Sequence, residues 1–416
     1  MMKKFFLIFA VILIFLSGCS KNEKDKTVLT VSTWGSITEI STTKALIKEF
    51  ELQNSNIKVN LVHIPDNYFR KLHLLVASNL MPDVVFVNNL NANIYLEAEK
   101  FEPLNSYLKN SKTLNVDDFY PVALDALSNQ SGIYAIPRDV SNMVVYYNKD
   151  FFRTEDISFP KADWTMKDFL QIAQKLTKDT NNDGEIDVFG FGFEKNSLYW
   201  LPFISTIDGG IFDKNGKVIL GTDVSKSALQ FYSDLRNFYN VAPKVDKQAS
   251  LTTSQLFLNG KVAMHLCGRW CSLTYKKNAD FEWDVVELPN SANSNIPVDA
   301  SGWAISSSSK YKNEAWQFIE FMVSEKSLKK ITLDGLILPA KKNVANSKLF
   351  LTAQPKNADA FLRRLNNSYP TPVYGKYSEI LDLLDIEFEE LFNGKASVDE
   401  VIDDELVEKI RELMYN

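Results

Sequence analysis

The sequence predicts an α/β protein built from more than one domain. Strand and helix patterns alternate along the first part of the chain, and residues 84–87 (VVFV) form a strand with no polar face. Such a strand is typical of a parallel sheet that helices cover on both sides. About 390 residues follow the first 26, which is the length of two or more domains.

The first elements follow one another as strand, helix, strand, helix and strand. Residues 28–34 (VLTVSTW) read as a strand, and Ser36 with Glu39 forms the capping box of the next helix. A second strand is predicted at residues 57–64, and Pro82 separates the second helix from the third strand. This order forces parallel strands with right-handed crossovers. Because no glycine-rich fingerprint follows the first strand, a nucleotide is not expected.

Two asparagines, Asn88 and Asn89, directly follow the buried strand. In open α/β sheets, ligands bind outside the carboxyl ends of the strands, so we expect one of these side chains to meet a small molecule. The alternative is that both residues only form a turn.

A polar run marks the passage to a second lobe. Pro137 and residues 138–142 interrupt the first pattern, and a strand follows at residues 143–147. A later strand at residues 281–289 leads into the polar segment 291–299, which predicts a second crossing. The two crossings connect the same pair of lobes.

Three further segments complete the second lobe. Thr165 with Asp168 begins a capped helix, and Ser397 with Glu400 begins another near the end of the chain. Between them, residues 199–212 (YWLPFISTIDGGIF) are rich in aromatic side chains without a period. We therefore predict a ligand-facing loop there.

The N-terminal segment indicates export. A basic start at Lys3 and Lys4 precedes an apolar run too short to span a bilayer comfortably, so residues 1–18 fit a signal peptide. Leu16, Ser17, Gly18 and Cys19 look like the lipobox of bacterial lipoproteins, which predicts lipidation of Cys19. Residues 19–26 then form the lipidated end and a flexible tether. The alternative is an uncleaved anchor helix.

Composition excludes some partners and leaves the cysteines open. The chain is 45% hydrophobic and 24% charged with a net charge of -6, so neither nucleic acid nor an anionic membrane surface is expected to bind it. Cys267 and Cys271 remain in the mature chain. They either pair as a disulfide or occupy positions one helical turn apart.

One loop resembles the first half of a calcium loop, with Gly184 at its turn. Its candidate ligands are Asp179, Asn181, Asp183, Glu185 and Asp187. The bidentate glutamate expected at the last position is missing, since Gly190 stands there. The loop therefore predicts either a structural calcium ion or a set of tight turns.

No catalytic constellation is found. The carboxylates lie mostly on polar helix faces, and no serine of the mature chain lies in a nucleophile elbow. His63, His73 and His265 form no zinc-type pair, although His265 lies near the two cysteines. We expect a protein that is not an enzyme and has no cofactor apart from the possible calcium ion.

Aromatic residues at predicted strand ends and in loops indicate carbohydrate binding. Sugar rings bind to flat aromatic side chains through their C–H faces and to polar side chains, such as Arg269, through their hydroxyls. The aromatic candidates are Trp34, Tyr199, Trp200, Trp270, Trp303 and Tyr374.

Seven segments resemble one family in its own order. They are VSTWG, KLHLLVASNLMPDVVFV, GIYAIPRDVSNMVVYYNKDFF, ADWTMKDFLQIAQKLTKD, LFLNGKVAMHLCGRW, FEWDVVELP and NEAWQFIEFMVS. The chain resembles the sugar-binding extracellular solute-binding proteins of ATP-binding-cassette (ABC) importers, the group that includes maltose-binding protein. The resemblance implies a type II periplasmic-binding-protein-like fold, in which two α/β lobes enclose a ligand cleft.

The resemblance also implies lobe boundaries and contacts. The N-terminal lobe would comprise residues 27–138 and 298–345, and the C-terminal lobe residues 139–297 and 346–416. The implied sugar contacts are Trp34, Asn88, Asn89, Trp200, Trp270, Gly302, Trp303 and Tyr374.

The implied partners are a sugar or oligosaccharide and the permease subunits with their ATPase. We expect a monomer held at the outer face of the cell membrane by its lipid alone. The alternatives are a lipid-anchored glycoside hydrolase and a sensor or adhesin that takes no part in transport.

Overall fold

A computed structural model describes residues 26–244, 251–289 and 296–415. The predicted signal peptide, Cys19 and the tether before residue 26 lie outside the described residues, as does the part of the second crossing at residues 290–295. Within the described ranges, no helix combines the length and apolar composition that a membrane span requires.

The described strands form two main sheets and one short hairpin. They are β1 Thr27–Thr33, β2 Ile57–His63, β3 Val84–Asn88, β4 Ser128–Asn129, β5 Gly132–Ile133, β6 Ala135–Ser141, β7 Val144–Asn148, β8 Phe189–Gly192, β9 Val262–Cys267, β10 Trp283–Glu287, β11 Pro297–Ile305, β12 Leu338–Pro339 and β13 Tyr369–Pro370.

Helices surround the two main sheets. They are α1 Ile37–Gln53, α2 Tyr68–Ala77, α3 Asn89–Glu97, α4 Asn105–Asn110, α5 Pro121–Ala126, α6 Lys149–Thr154, α7 Met166–Leu176, α8 Ser197–Ser205, α9 Asp223–Asn237, α10 Thr253–Leu258, α11 Cys271–Asn278, α12 Lys312–Met322, α13 Glu325–Leu333, α14 Lys342–Ala345, α15 Lys348–Leu351, α16 Tyr377–Phe392, α17 Val398–Val401 and α18 Asp404–Tyr415. Short 3-10 turns occupy Val116–Asp118, Ala358–Phe361 and Leu365–Asn367.

The first lobe is built on a seven-stranded sheet in the order β12-β6-β11-β3-β1-β2, with β13 paired to β11. Strand β1 is parallel to both β2 and β3, which confirms the predicted β-α-β-α-β unit. Strand β11 returns from the second lobe and is antiparallel to β3 and β6. A segment that follows the strands of the second lobe in sequence therefore completes the sheet of the first lobe.

Helix starts follow the predicted capping boxes. The Glu39 amide donates to Ser36 Oγ at 3.3 Å, and the Ser36 amide donates to Glu39 Oε2 at 3.2 Å, so α1 begins where expected. The same reciprocal pair joins Thr165 and Asp168 at the start of α7. Each box satisfies backbone amides that the first helical turn would otherwise leave unpaired.

The second lobe is built on a four-stranded sheet in the order β10-β7-β9-β8. Side chains of β7 alternate between its faces: Val145 and Tyr147 join the core under α7, α8 and α9, while Val144 and Tyr146 face the opposite core. The adjacent tyrosines therefore point to opposite faces, as successive residues of a strand do.

The lobe crossings differ in position from the predicted boundaries. Strand β6 stays in the seven-stranded sheet as far as Ser141, so the first crossing falls at Asn142 and Met143 rather than after residue 138. Pro297 already pairs within the first lobe, and α15 packs against α13 of that lobe although it was assigned to the second. Polar composition locates a crossing, whereas strand pairing decides its exact residue.

The predicted loop at residues 199–212 is wrong over its first half. Asn196 caps α8 through its side chain, and the helix continues to Ser205 despite Pro202 inside it. Its residues are buried on several sides, so the segment lacks the apolar stripe of a surface helix.

Candidate ligand-binding cleft

Three adjoining cavities form a cleft between the lobes. The central cavity, about 250 Å³, is lined by Ser141, Trp270, Asp299, Tyr377 and residues of both lobes. The Arg269 cavity, about 210 Å³, shares Ser141 and Trp270 with it. The outer cavity, about 550 Å³, shares Tyr377 with the central cavity on the other side. The cleft is thus long enough to have distinct subsites.

The lobe crossing forms one wall of the central cavity. Asn142 and Met143 line it directly. The Asn142 Nδ2 group donates to the Phe361 carbonyl at 2.8 Å, while its Oδ1 atom is buried without a hydrogen-bond partner among the described residues. An unpaired acceptor beside a cavity is available to a ligand hydroxyl.

Helix α16 forms the opposite wall with one face of its first turns. Tyr377, Leu381 and Asp385 are spaced by four residues and therefore lie on the same side, next to Ser378 and Asp382. Ser378 Oγ also donates to Asn91 Oδ1 at 3.1 Å, which joins α16 to α3 of the first lobe at the cavity rim.

Asp299 places a carboxylate of the first lobe in the central cavity. Asn89 Nδ2 donates to its Oδ1 atom at 3.1 Å. Burial raises the pKa of Asp299, and hydrogen bonds from Thr371 and Asn89 oppose this shift. Burial and the nearby Asp299 also raise the pKa of Tyr377. The Tyr377 phenol therefore stays protonated and can donate to a ligand.

Asp385 holds the start of α8 against α16. The Ser197 amide donates to its Oδ1 atom at 2.8 Å, and Asn196 Nδ2 donates to its Oδ2 atom at 3.0 Å. Burial raises the pKa of Asp385, and the hydrogen bonds from Ser197 partly offset this shift. Its carboxylate therefore positions the two helices that enclose the central cavity.

Trp270 stands between the central and Arg269 cavities, in the short connection from β9 to α11. A disulfide between Cys267 and Cys271 closes this connection and answers the question that the sequence left open. The Tyr146 hydroxyl donates to the Gly268 carbonyl at 2.9 Å. A Cβ atom on Gly268 would lie 2.0 Å from Cζ3 of Trp270, so the indole is seated against a position that has no side chain.

Trp34 lines the Arg269 cavity from the first lobe. Its ring packs against Tyr68, Phe69 and Phe86 at centroid distances of 5.0, 5.3 and 4.5 Å. These contacts fix the indole while leaving it half-buried. The Arg269 cavity is thus bounded by one indole from each lobe.

The structure places Trp34, Arg269 and Trp270 at one cavity, whereas other predicted contacts lie in the cores. Trp200 is 0% exposed against Phe388, and Trp303 is 1% exposed between Phe86 and Phe318. Neither ring has a free face for a sugar, so we withdraw both as contacts. Both predictions failed for the same reason. Residue type alone does not distinguish a tryptophan in the middle of a buried element from one at the rim of a cleft.

Gly302 is also a packing residue. A Cβ atom there would lie 2.3 Å from the Ile136 carbonyl oxygen, because β11 and β6 approach closely at a register shift. We therefore assign Gly302 to strand packing and not to ligand contact.

The remaining predicted contacts lie near the cleft without lining it. Asn88 caps α3 by accepting from the Asn91 amide, and Asn89 is buried between Asp299 and the Ala300 amide. Tyr199 is half-buried on α8, and Tyr374 packs edge-on against Phe212. None of these four residues is among the described residues that line the three cavities.

Several cleft residues were missed by sequence analysis. They are Asn91, Asn142, Met143, Asp299, Tyr377, Leu381, Asp382 and Asp385. In α16, Ile380 and Leu384 lie on the buried core face, and the cleft residues follow them by one position. Asp299 carried no sequence signal because its strand begins in a polar crossing.

The calcium prediction finds no support in the described loop. Asp179 accepts from the Gly184 amide, Asn181 from the Asp183 amide, and Asp183 from the Glu185 amide, while Asp187 accepts from Thr180. The acidic side chains thus stabilise the turn itself.

No metal cluster is found elsewhere in the described part either. Within it, no group of three or more His, Cys, Asp or Glu side chains is arranged to hold a metal ion. His265 instead pairs through Nε2 with the Tyr275 hydroxyl at 2.6 Å, and burial lowers its pKa to about 3.

Two α/β lobes, joined by crossing segments and separated by a lined cleft, define the type II class of periplasmic-binding-protein-like folds. The family model described as bacterial extracellular solute-binding protein matches residues 34–329. The chain belongs to this family.

Relatives and solved structures agree with this assignment. An ABC substrate-binding protein from Listeria monocytogenes, solved in complex with cycloalternan, is 28% identical with a TM-score of 0.84, and the match covers 94% of this chain and 99% of that one. The arabinooligosaccharide-binding protein of Bacillus subtilis is 25% identical over 58% of this chain and 57% of its own length. Maltose-bound MalE3 of T. maritima, at 18% identity, shares the fold with a TM-score of 0.78 over 93% of this chain and all of that one.

Proposed function

We propose that the protein binds an oligosaccharide outside the cell and delivers it to the permease of an ABC importer. The observation that carries the proposal is the cleft itself, where half-buried indoles of both lobes stand among hydroxyl, amide and carboxylate groups. Flat aromatic faces and surrounding polar groups are what a sugar ring requires. The names of the relatives, which include proteins that bind arabinooligosaccharides and galactooligosaccharides, favour the same class of ligand.

Closure of the lobes provides the mechanism. A sugar in the central cavity would contact Asp299 of the first lobe, Tyr377 of the second and Asn142 at the crossing. A ligand that bridges the two lobes in this way binds a closed arrangement more tightly than an open one and shifts the population toward the closed form. The permease then recognises the closed, loaded form.

We further propose a lipid-anchored monomer at the outer face of the membrane. Cys19 would carry the lipid, and the charged residues after it would act as a tether. The comparisons give no support to a glycoside hydrolase, and we propose that the bound sugar leaves the cleft unaltered.

A titration of the mature chain with monosaccharides and with oligosaccharides of increasing length tests the proposal. Calorimetry should detect at least one oligosaccharide with dissociation constant in the micromolar range or below, and chromatography of the same sample should return it intact. Failure of the whole panel to bind, or recovery of shortened sugars, would contradict the proposal.

A further inference from the structure

Arg269 is an unusual residue in the cleft because its charge is buried without an opposite charge. Its side chain is 3% exposed and lines the Arg269 cavity beside Trp270. Its Nε and Nη1 atoms are buried and have no hydrogen-bond partner, and within the described ranges it forms no ion pair with a carboxylate.

The surroundings of Arg269 are aromatic rather than acidic. Its guanidinium lies 4.8 Å from the centroid of the Phe350 ring and 5.4 Å from that of Phe361. Burial lowers its pKa, and the opposing influence comes from the Tyr146 phenol, not from a carboxylate. A buried cation without hydrogen-bond partners is costly, and the two phenyl rings offset only part of that cost, so an anionic ligand group that pairs with Arg269 would be stabilised there.

A second arginine in the same cavity provides the contrast. Arg138 is equally buried, but Asp139 and Glu39 neutralise it, with Nη2 at 3.3 Å from Glu39 Oε1. The two carboxylates that line the cavity are therefore already engaged. Arg269 lines the same cavity without such a carboxylate partner among the described residues, so an anionic group of a ligand in this cavity would meet Arg269.

The central cavity has an acidic lining without any basic side chain among the described residues. Asp299, Asp382 and Asp385 are its acidic residues. A carboxylate on the ligand would be repelled there, whereas sugar hydroxyls can donate to these acceptors. The difference between the two cavities gives a charged ligand a single favourable orientation.

We propose that the ligand is an acidic oligosaccharide whose one carboxylate lies in the Arg269 cavity while neutral sugar units occupy the central cavity. The inference rests on the proposed function and names its substrate class. Arg269 is then the residue that sets specificity, because a neutral sugar of the same shape would leave its charge unpaired.

Paired ligands test this proposal. Each pair consists of a neutral oligosaccharide and the same chain carrying one uronic acid at its non-reducing end, such as cellobiose with cellobiouronic acid, xylotriose with glucuronosyl-xylotriose, and corresponding galactose-based pairs. In every pair that binds, the acidic member should bind at least tenfold more tightly by calorimetry, and added NaCl should weaken the acidic member more than the neutral one.

The variant R269Q should reduce the ratio of the affinities for the acidic and the neutral member to about twofold or less. R153Q, which removes an exposed arginine from α6 of the second lobe, is the matched control and should keep the full preference. If R269Q does not fold, R269K provides a variant that retains the charge. The titrations of the wild-type protein with the paired ligands test the proposal without any variant.

The possible failures are distinguishable. Neutral members that bind as tightly as acidic ones would overturn this inference and leave the proposed function standing. A panel in which neither member of any pair binds would overturn both.

Discussion

At the scale of single residues, exposure separates tryptophans that can meet a ligand from those that hold the cores. Trp34 and Trp270 are half-buried and line cavities, whereas Trp200 and Trp303 are enclosed by other aromatic rings. The sequence predicted that the tryptophans are important, but it could not separate those that line the cleft from those that pack in a core. The side chains that cover Trp303 come from β3 and α12, which are distant in sequence.

This difference predicts opposite effects of truncation. W270A should weaken oligosaccharide binding more than tenfold with little loss of stability, because its ring has one face on the cleft. W303A should lower the free energy of unfolding by about 3–5 kcal/mol, because it empties a packed core. Calorimetric titration and urea unfolding of both variants give the comparison. Loss of affinity in folded W303A together with normal affinity in W270A would contradict our assignment.

The carboxyl of Asp299 predicts a pH dependence. Because burial raises its pKa, the folded state favours the protonated form. This contribution to stability is fully present below the ordinary pKa of 3.8 and is lost as the pH rises through the higher pKa of the folded state.

We therefore expect D299N to be more stable than the wild type at about pH 7, with the advantage disappearing toward about pH 3. Urea unfolding of both proteins across this range measures it. An advantage that grows as the pH falls would show that the sign is wrong.

At the scale of elements, the connection between β9 and α11 links stability to binding. The disulfide closes a ring of few residues, and such a short ring removes less entropy from the unfolded chain than a long one. Because the ring contains both Arg269 and Trp270, we assign the disulfide mainly to positioning these side chains.

The double variant C267S/C271S tests this assignment. We expect a loss of about 2 kcal/mol in unfolding free energy and, in the folded protein, a severalfold weaker affinity for the best oligosaccharide. The single change S254A removes a nearby hydroxyl and keeps the disulfide, so it serves as a control. Unaltered affinity of the folded double variant would show that the bridge does not position the site.

Strand packing predicts the effect of a change at Gly302. The variant G302A should cost about 1–3 kcal/mol, because the added methyl meets the backbone carbonyl of Ile136 and cannot be accommodated by a rotamer change. Thermal unfolding measures the loss. A strong loss of affinity without a loss of stability would instead restore Gly302 to the list of contacts.

Elements were predictable from the sequence where the chemistry was local. The capping boxes at Ser36, Thr165 and Ser397 all form, because each depends on residues three positions apart. Helix α8 was missed because its burial comes from other parts of the chain, α9 and α16, which remove the periodic stripe that identifies a surface helix.

At the scale of the whole molecule, both sheets are assembled from distant segments. The parallel unit β1–β2–β3 followed from its alternation of strands and helices, but the pairing of β11 between β3 and β6 depends on a chain that leaves the lobe and returns. The cleft arises from this return, since it brings Asp299 opposite α16. Position along the sequence alone did not reveal that juxtaposition, and so most of the central cavity went unpredicted.

The central claim is that an oligosaccharide binds between the lobes and contacts both of them. Hydrogen–deuterium exchange of the mature protein, with and without its tightest oligosaccharide, tests this claim most directly. Our account predicts slower exchange at the first crossing around Asn142, in the Trp270 connection and in the first turns of α16. Protection confined to one lobe, or absent from all three segments while the sugar is bound, would contradict it.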